Sequence, residues 1–199
     1  MAFKKYLFLM EINENKSKNK FYLLITSVYG KNNSGTLIRS ASAFNCEKIF
    51  ILGKDKKILK KFFGDHGTVK KMHFEFFESI EQIKEYCLEN KIFICGIDIK
   101  YKKSNDNISP IQNHEFKGDT LFVLGNSSNI ISPELEEICN SFSYVDQYSN
   151  EPGDLNLSIV GSIVFHRYGL WANYQQAGLN ETFHSEKYIV DKKKINSKP

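Results

Sequence analysis

Short apolar runs alternate with segments of helical spacing along most of the chain, and this alternation is the strongest constraint on its fold. The apolar runs lie at residues 21–29, 47–52, 72–78, 91–99, 121–125 and 141–145. Between two of them, the segment 79–90 has helical spacing at Ile80, Ile83, Tyr86 and Cys87. Strands that alternate with helices are typical of an α/β domain with a mostly parallel sheet, and we predict this fold class.

Two further segments complete the predicted organisation. Residues 156–177 are predicted as a long helix that buries Ile159, Ile163 and Tyr168. The stretch 100–117 is predicted as a loop inside the domain, because it is polar and contains a proline.

The length of the chain, 199 residues, is enough for one core and would be cramped for two domains. We expect one domain over residues 1–190 and a basic, disordered tail at 191–199. The net charge of +4 is too modest to define a nucleic-acid-binding protein by itself. Glu11 interrupts the N-terminal apolar run before it reaches the length of a secretion signal. We therefore expect an intracellular protein, cytoplasmic or nuclear, that is not secreted and not bound to a membrane.

The cysteines and histidines do not form a recognisable site in the sequence. Cys46, Cys87, Cys95 and Cys139 lie far apart beside apolar residues, without a C-x-x-C pair. We predict reduced, buried thiols, with neither a disulfide framework nor a metal site. The histidines are scattered, and none has a Ser or Cys at a recognisable sequence spacing, so we do not predict a histidine-centred active site.

The first motif is N-x-G-x-x-x-R, formed by Asn33, Gly35 and Arg39 directly after the first apolar run. The glycine is expected to let the backbone turn into a helix, whose N-terminal amides attract anions. Arg39 is in a position to hold a phosphate through two hydrogen bonds. The alternative is that Arg39 pairs with an acidic neighbour on the surface.

Two more motifs each follow or precede an element of regular structure. In LFVLGNSSNIISPEL, an apolar strand runs into Gly125 and Asn126, and Ser132 is expected to cap a helix that opens with Pro133. In DLNLSIVGS, Asn156 stands at the entrance of the last helix, whose small residues 161–162 allow close packing against another helix. Either motif taken alone is also compatible with an ordinary turn. Ligands bind at the carboxyl ends of parallel strands, where the second motif lies.

The three motifs in this order resemble the SpoU/TrmH family of RNA ribose 2′-O-methyltransferases, within the SPOUT superfamily. The segment NSGTLIRSASAF resembles the family's first motif, with Asn45 where glycine is usual, and LFVLGNSSNIISPEL and DLNLS resemble the second and third. The downstream HRYGLWANY and KYIVD are similar to one eukaryotic branch of the family. A Rossmann-type dehydrogenase or class I methyltransferase would instead show a G-x-G-x-x-G loop after its first strand, and the chain has none there.

The resemblance implies the α/β-knot (SPOUT) fold with a C-terminal deep trefoil knot, and a homodimer formed through the knot with the help of the 156–177 helix. It also implies S-adenosylmethionine as cofactor and tRNA or rRNA as substrate. The residues that would bind the cofactor are Leu124, Gly125, Asn126, Val145, Gln147, Leu155 and Ser158. The catalytic residues would be Arg39, Asn33 and Asn156, with Arg39 holding the phosphate beside the target ribose and serving its own site or that of the partner.

Four positions depart from the family pattern inside the implied site: Ser127 replaces a glutamate, Ser128 a glycine, Asp154 a serine and Asp146 a proline. One hypothesis is that the Asp154 carboxylate replaces the one missing at position 127, and we count Asp154 among the catalytic candidates. The other is that the chain is a catalytically impaired relative that binds RNA as a dimer. A purely structural protein would not bind the cofactor at all.

A run of lysines follows the second apolar run, and Lys54, Lys56 and Lys57 are candidates for contacts with RNA phosphates, together with Arg39. Phe62 and Phe63 follow this run and are expected to belong to the core beneath a solvated surface.

Overall fold

The computed structural model describes residues 19–26, 31–62, 64–97, 108–125, 131–150 and 155–175. Seven strands are described: β1 (Phe21–Ile25), β2 (Lys48–Leu52), β3 (Phe74–Phe77), β4 (Phe93–Ile97), β5 (Ile108–Pro110), β6 (Thr120–Leu124) and β7 (Ser141–Tyr144). They form one sheet in the order β3-β2-β1-β6-β4-β7-β5, and each neighbouring pair is parallel. The predicted α/β fold class is therefore confirmed.

Helices cover both faces of this sheet. The described α-helices are α1 (Lys31–Ala43), α2 (Ile80–Glu89), α3 (Pro133–Glu136) and α4 (Leu157–Trp171). Three short 3₁₀ helices span Lys56–Lys61, Thr68–Lys71 and Ile111–Asn113. Apolar residues of α1 and α4 belong to the core on one face, and those of α2 and α3 belong to the core on the other. With cover on both faces, the central strands β1 and β6 are buried along their whole length.

The close packing of α1 against α4 depends on small residues. A Cβ atom placed on Gly161 would overlap the Cδ1 methyl of Leu37, which is fully buried in α1. In the same interface, the Ser162 hydroxyl donates a hydrogen bond to the Ser40 hydroxyl at 2.9 Å. The predicted role of residues 161–162 in helix packing is therefore confirmed.

Two asparagines end these helices in the left-handed conformation. Asn45 follows α1 with φ 66°, and the amide of Cys46 donates to the Ala41 carbonyl. Asn173 ends α4 in the same way with φ 54°. After glycine, asparagine is the residue that tolerates this conformation best. Asn45 can therefore occupy the position where the SpoU/TrmH family usually has glycine. The conformation of Asn173 also explains why α4 ends at Trp171, before the predicted end at residue 177.

The buried face of α4 differs from the prediction. Tyr168 is fully buried as expected, but Ile159 and Ile163 are 49% and 38% exposed in the single chain, so that part of the prediction is wrong. The buried residues of the helix are Leu157, Val160, Gly161, Val164, Phe165 and Tyr168. The helix is apolar nearly all round, so spacing in the sequence did not identify which stripe faces the sheet.

Part of the predicted loop at 100–117 is regular structure. Ile108–Pro110 forms the edge strand β5, and the 3₁₀ helix Ile111–Asn113 follows it. A proline is tolerated there because an edge strand has one side without a partner strand. Gly35, expected at the turn into a helix, instead lies within α1, which begins at Lys31.

The four cysteines are free thiols, and three of them are buried, whereas Cys139 is partly buried. Burial raises the pKa of Cys87 and of Cys95 to about 12, so both are protonated at neutral pH. No helix among the described residues is long and apolar enough to cross a membrane. The predicted tail at 191–199 lies outside the described residues, and so do residues 126–130 and 151–154 of the second and third motifs.

We expect Gly161→Ala to lower the free energy of unfolding by about 1 to 3 kcal/mol, because the added methyl overpacks the contact with the buried Leu37. Gly169→Ala in the same helix is the matched control, since its Cβ would reach only ordinary contact distance from Tyr174, at 3.4 Å. That control should be neutral or stabilising by about 0.5 to 1 kcal/mol. Urea unfolding of both variants measures the difference, and equal stabilities would contradict the proposed overpacking.

Candidate active site at the carboxyl edge of the sheet

The carboxyl ends of β6, β4 and β7 lie side by side, because these parallel strands are neighbours in the sheet. Leu124 and Val145, at the ends of β6 and β7, are 1% and 7% exposed and form an apolar floor. The Gly125 amide donates to the Ile97 carbonyl at 3.2 Å, which ties the end of β6 to the end of β4. Gln147, two residues after Val145, and Leu155, which packs against the core cluster that contains Leu124 and Val145, are both partly exposed. Leu124, Gly125 and Val145, three of the residues predicted for the cofactor, thus lie at one edge, and Gln147 follows Val145 by two residues.

Asn156 connects the third motif to the first. Its Oδ1 atom accepts hydrogen bonds from the Ser158 amide at 2.9 Å and the Ser158 hydroxyl at 2.8 Å, so Asn156 is the N-cap of α4. Its Nδ2 atom donates to the Oδ1 atom of Asn33 at 3.0 Å. Asn33 and Asn156, each predicted as a catalytic residue, therefore meet in space, although they are 123 positions apart.

Arg39 lies on the exposed side of α1. Among the described residues, no carboxylate lies within ion-pair distance of its guanidinium. The described part of the chain therefore offers no acidic partner for the alternative prediction, in which Arg39 forms a surface ion pair. A guanidinium that keeps its charge and its five donors is suited to bind a phosphate.

Asp146 is held by a contact that the sequence did not reveal. Its carboxylate accepts a hydrogen bond from the side-chain amide of Gln112. The Gln112 carbonyl in turn accepts a hydrogen bond from Nε of Arg167 on α4, at 3.2 Å. The segment after β5 is thereby tied both to the end of β7 and to α4. These partners come from three different elements, and no sequence spacing pointed to them.

Several predicted residues remain without a structural description. Asn126, Ser127, Ser128 and Asp154 lie outside the described residues, and so does Phe63. Phe62 is buried, which confirms its predicted place in the core.

The candidate lysines fall into different environments. Lys54 forms an ion pair with Glu78 at 2.6 Å, and the Lys56 ammonium lies 5.9 Å from the centroid of the Phe76 ring. Lys57 is exposed, and its backbone amide donates to the Asp55 carboxylate. The charge of Lys54 is thus partly neutralised within the chain, whereas Lys56 and Lys57 have no ion-pair partner among the described residues.

His114 has polar neighbours that its sequence position did not suggest. Its Nδ1 atom lies 3.0 Å from the Ser109 hydroxyl, and its Nε2 atom lies 3.4 Å from the Ser141 hydroxyl and 3.7 Å from the Cys95 thiol. Burial, followed by the charge of Arg167, lowers the pKa of His114. A neutral, buried imidazole beside a protonated thiol is a structural arrangement. It lines a cavity at the amino ends of β4, β6 and β7, on the opposite edge from the candidate site.

Among the described residues, no group of three or more His, Cys, Asp or Glu side chains is arranged to hold a metal ion. The side chains described near the carboxyl ends of β6 and β7 and at the start of α4 include the amides of Asn33, Asn156 and Gln147, the Asp146 carboxylate and the Ser158 hydroxyl.

Several solved methyltransferase structures have a similar fold. The structure is similar to the SpoU methyltransferase AviRb from Streptomyces viridochromogenes in complex with the cofactor AdoMet, with a TM-score of 0.66, 15% identity, and coverage of 81% of this chain and 61% of that one. It is also similar to the TrmH/SpoU tRNA modifying enzyme of A. aeolicus, with a TM-score of 0.61, 16% identity, and coverage of 87% and 85%. At this level of identity, the likeness establishes the fold.

The sequence establishes the family. The model of the SpoU rRNA Methylase family matches residues 20–166 of the chain, which therefore belongs to this family. The chain is also 23% identical over 154 residues to the mitochondrial rRNA methyltransferase 1 of Dictyostelium discoideum. That match covers 76% of this chain and only 29% of the length of the relative.

We expect Asn156→Ala to lower the free energy of unfolding by about 1 kcal/mol, because α4 is deprived of its N-cap. Asn156→Asp is the matched variant, because it keeps an oxygen for the Ser158 amide and replaces the donor to Asn33 with a carboxylate oxygen, whose charge is favoured at a helix N-terminus. It should retain most of the stability, and urea unfolding of both variants measures this. Equal destabilisation by the two changes would mean that the Asn33 contact, and not the cap, carries the stability.

Proposed function

We propose that this chain transfers a methyl group from S-adenosylmethionine to a ribose 2′-hydroxyl of tRNA or rRNA. The observation that carries the proposal is the hydrogen bond between Asn33 and Asn156. It joins two family motifs at one edge of the sheet, and Asn33 lies on the same helix as Arg39. Membership of the SpoU rRNA Methylase family supports RNA as the substrate class.

The carboxyl edge has the chemistry that the cofactor needs. The main chain at the ends of β6 and β7 provides donors and acceptors for the polar edge of an adenine ring, beside the buried side chains of Leu124 and Val145. We propose that Leu124, Gly125, Val145, Gln147, Leu155 and Ser158 hold the cofactor, together with Asn126. AviRb, which has the same fold, was crystallised with AdoMet.

When bound, S-adenosylmethionine supplies a methyl group on a sulfonium that leaves as a neutral thioether. The chain therefore has to position the ribose and help its hydroxyl to release a proton. We assign to Arg39 the binding of the phosphate beside the target ribose. In that position, its charge also favours the alkoxide that develops on the 2′-oxygen. Asn33, fixed by Asn156, orients the nucleotide next to Arg39.

We propose Asp154 as the acceptor of the hydroxyl proton, because a carboxylate can take this proton and a guanidinium cannot. In this proposal, Asp154 replaces the family glutamate that is Ser127 here. We also propose that residues 1–190 form one domain and that its C-terminal part is knotted, as the family resemblance implies.

A second function is a dimeric RNA-binding protein without transferase activity. The replacements at positions 127 and 154 inside the motifs favour it. The retention of Arg39, Asn33 and Asn156, with the contact between the two asparagines, favours the enzyme.

We propose a homodimer that uses α4. Ile159, Ile163 and Leu170 are 49%, 38% and 64% exposed, and their spacing places them along one side of this helix. Exposed apolar residues in such a stripe are typical of an interface.

We expect Arg39→Ala to lower the rate of methyl transfer to total cellular RNA by about 100-fold or more, because the developing alkoxide is deprived of its cation. The rate of Arg39→Lys should lie between those of this variant and the wild type, since lysine keeps the charge without the two parallel hydrogen bonds.

Asp154→Ala should lower the rate by about 100-fold or more, because the hydroxyl is deprived of its proton acceptor. Transfer from radiolabelled S-adenosylmethionine measures the rates.

The control is Lys84→Gln, which removes one charge from an exposed position on α2, on the other face of the sheet. It should transfer methyl groups at the wild-type rate. Calorimetry should give the same cofactor affinity for Arg39→Ala as for the wild type. Cofactor binding without transfer by the wild type would reject the enzyme in favour of the RNA-binding protein, and an active Asp154→Ala would reject the role of that carboxylate.

We expect Ile159→Glu to convert a dimer into a monomer, because it buries a charge in the proposed interface. Leu88→Glu is the matched control, since Leu88 is 80% exposed on α2 and lies on the other face of the sheet. Sedimentation equilibrium measures the mass of each variant and of the wild type. A monomeric wild type, or the same mass for both variants, would contradict the proposed interface.

A further inference from the structure

The connection between β2 and β3 carries a group of exposed lysines on its two 3₁₀ helices. We call Lys56, Lys57, Lys60, Lys70 and Lys71 the lysine surface, and all five are exposed. The sequence had pointed to the first of these helices alone, together with Lys54. The second helix adds Lys70 and Lys71, which are separated from the first three in the sequence and belong to the same connection in the fold.

The five lysines of the lysine surface differ from three lysines near β1, β2 and β3, which have acidic partners among the described residues. Lys20, Lys48 and Lys54 form ion pairs with Glu47, Glu75 and Glu78, at 2.8, 2.6 and 2.6 Å. Within the described ranges, no lysine of the lysine surface forms such a pair.

The two aspartates of the connection are engaged by its backbone. The Asp55 carboxylate accepts from the Lys57 amide at 2.8 Å, and the Asp65 carboxylate accepts from the Val69 amide at 3.2 Å. Their charges are nearby, but they bind main-chain amides of the two 3₁₀ helices and form no ion pair with a described lysine ammonium group. The lysine surface therefore keeps an excess of positive charge.

The connection that carries the lysine surface packs beside α1, near Thr36. Gly64 stands between the two 3₁₀ helices, and a Cβ atom placed on it would lie 3.1 Å from the Cγ2 atom of Thr36. Arg39 follows Thr36 by three residues, so the two side chains lie on the same side of α1. Val69 also packs against the core cluster that contains α1. The lysine surface and Arg39 thus belong to two elements that pack together, the connection between β2 and β3 and the helix α1.

We propose that the lysine surface binds the phosphate backbone of the RNA whose target nucleotide is held at Arg39. This inference rests on the proposed function and adds the path by which the RNA reaches the site. Ammonium groups on flexible side chains bind phosphates without reading the sequence, so the surface supplies affinity and orientation and no base preference. A lipid surface is a poorer match, because the large exposed apolar residues of the described chain lie outside residues 54–72.

The test compares two double variants that remove the same charge. Lys70→Gln with Lys71→Gln changes the lysine surface, and Lys84→Gln with Lys91→Gln changes two exposed lysines in and after α2, on the other face of the sheet. The dissociation constant for size-selected total RNA is measured at several salt concentrations. For the first variant, the slope of log Kd against log salt should fall by about 2, because each lysine removed leaves about one RNA phosphate without its cation. For the second variant, the slope should stay at the wild-type value.

Four outcomes overturn the proposal. Equal slopes for the two double variants would mean that the overall charge, and not this surface, determines binding. Weaker binding of polyglutamate with unchanged binding of RNA would assign the surface to acidic proteins. A wild-type chain that neither binds RNA nor methylates it would reject the proposed function together with the inference. Methyl transfer by the wild type with unchanged RNA binding in Lys70→Gln with Lys71→Gln would reject the inference alone.

Thermal unfolding and cofactor binding provide the control for folding. Both lysines of the first variant are exposed and form no ion pair with another described residue, so its unfolding midpoint and its affinity for S-adenosylmethionine should equal those of the wild type. Weaker RNA binding with both properties unchanged supports the proposal.

Discussion

The packing of α1 against α4 is the contact on which the candidate site depends. Gly161 lets the two helices approach until Leu37 fills the space that a side chain would need, and Ser162 bonds to Ser40 in the same interface. This approach brings Asn156, at the start of α4, within one hydrogen bond of Asn33. Without it, two motifs 123 residues apart would not share a site.

The parallel sheet supplies the other half of the geometry. Since every neighbouring pair of described strands is parallel, the ends of β6, β4 and β7 lie at one edge, and α4 begins beside them. Arg39 is on a different surface of α1 from Ser40, which faces α4, so the arginine stays in contact with solvent. Such an arrangement, with main-chain groups at the strand ends and Arg39 exposed on α1, suits a reaction in which the protein has to position two bound molecules and forms no covalent bond with them.

Much of the fold was predictable because its signals are local. The strands β1, β2, β6 and β7 were predicted within a few residues, and the start of α3 after Ser132 and the Asn156 cap of α4 were visible in the sequence. The errors have a common cause, which is that burial depends on neighbours distant in the chain. The helix α4 is apolar on nearly every side, so spacing did not separate Ile159 and Ile163 from the stripe that faces the sheet. The edge strand β5 was missed because it has only three residues, one of them a proline, and so carries no strand pattern.

The sequence by itself determined the order of elements, the fold class and the three motifs, because each is written in residues close together in the chain. It also identified Arg39 and the two asparagines as the residues to examine. Only the tertiary structure decided that Asn33 and Asn156 touch, that Lys54 is paired while Lys70 and Lys71 have no ion-pair partner among the described residues, and that Gln112 holds Asp146. These contacts join elements that meet only when the helices pack on the sheet. Their residues are distant in the chain, and no local sequence pattern indicates which of them will touch.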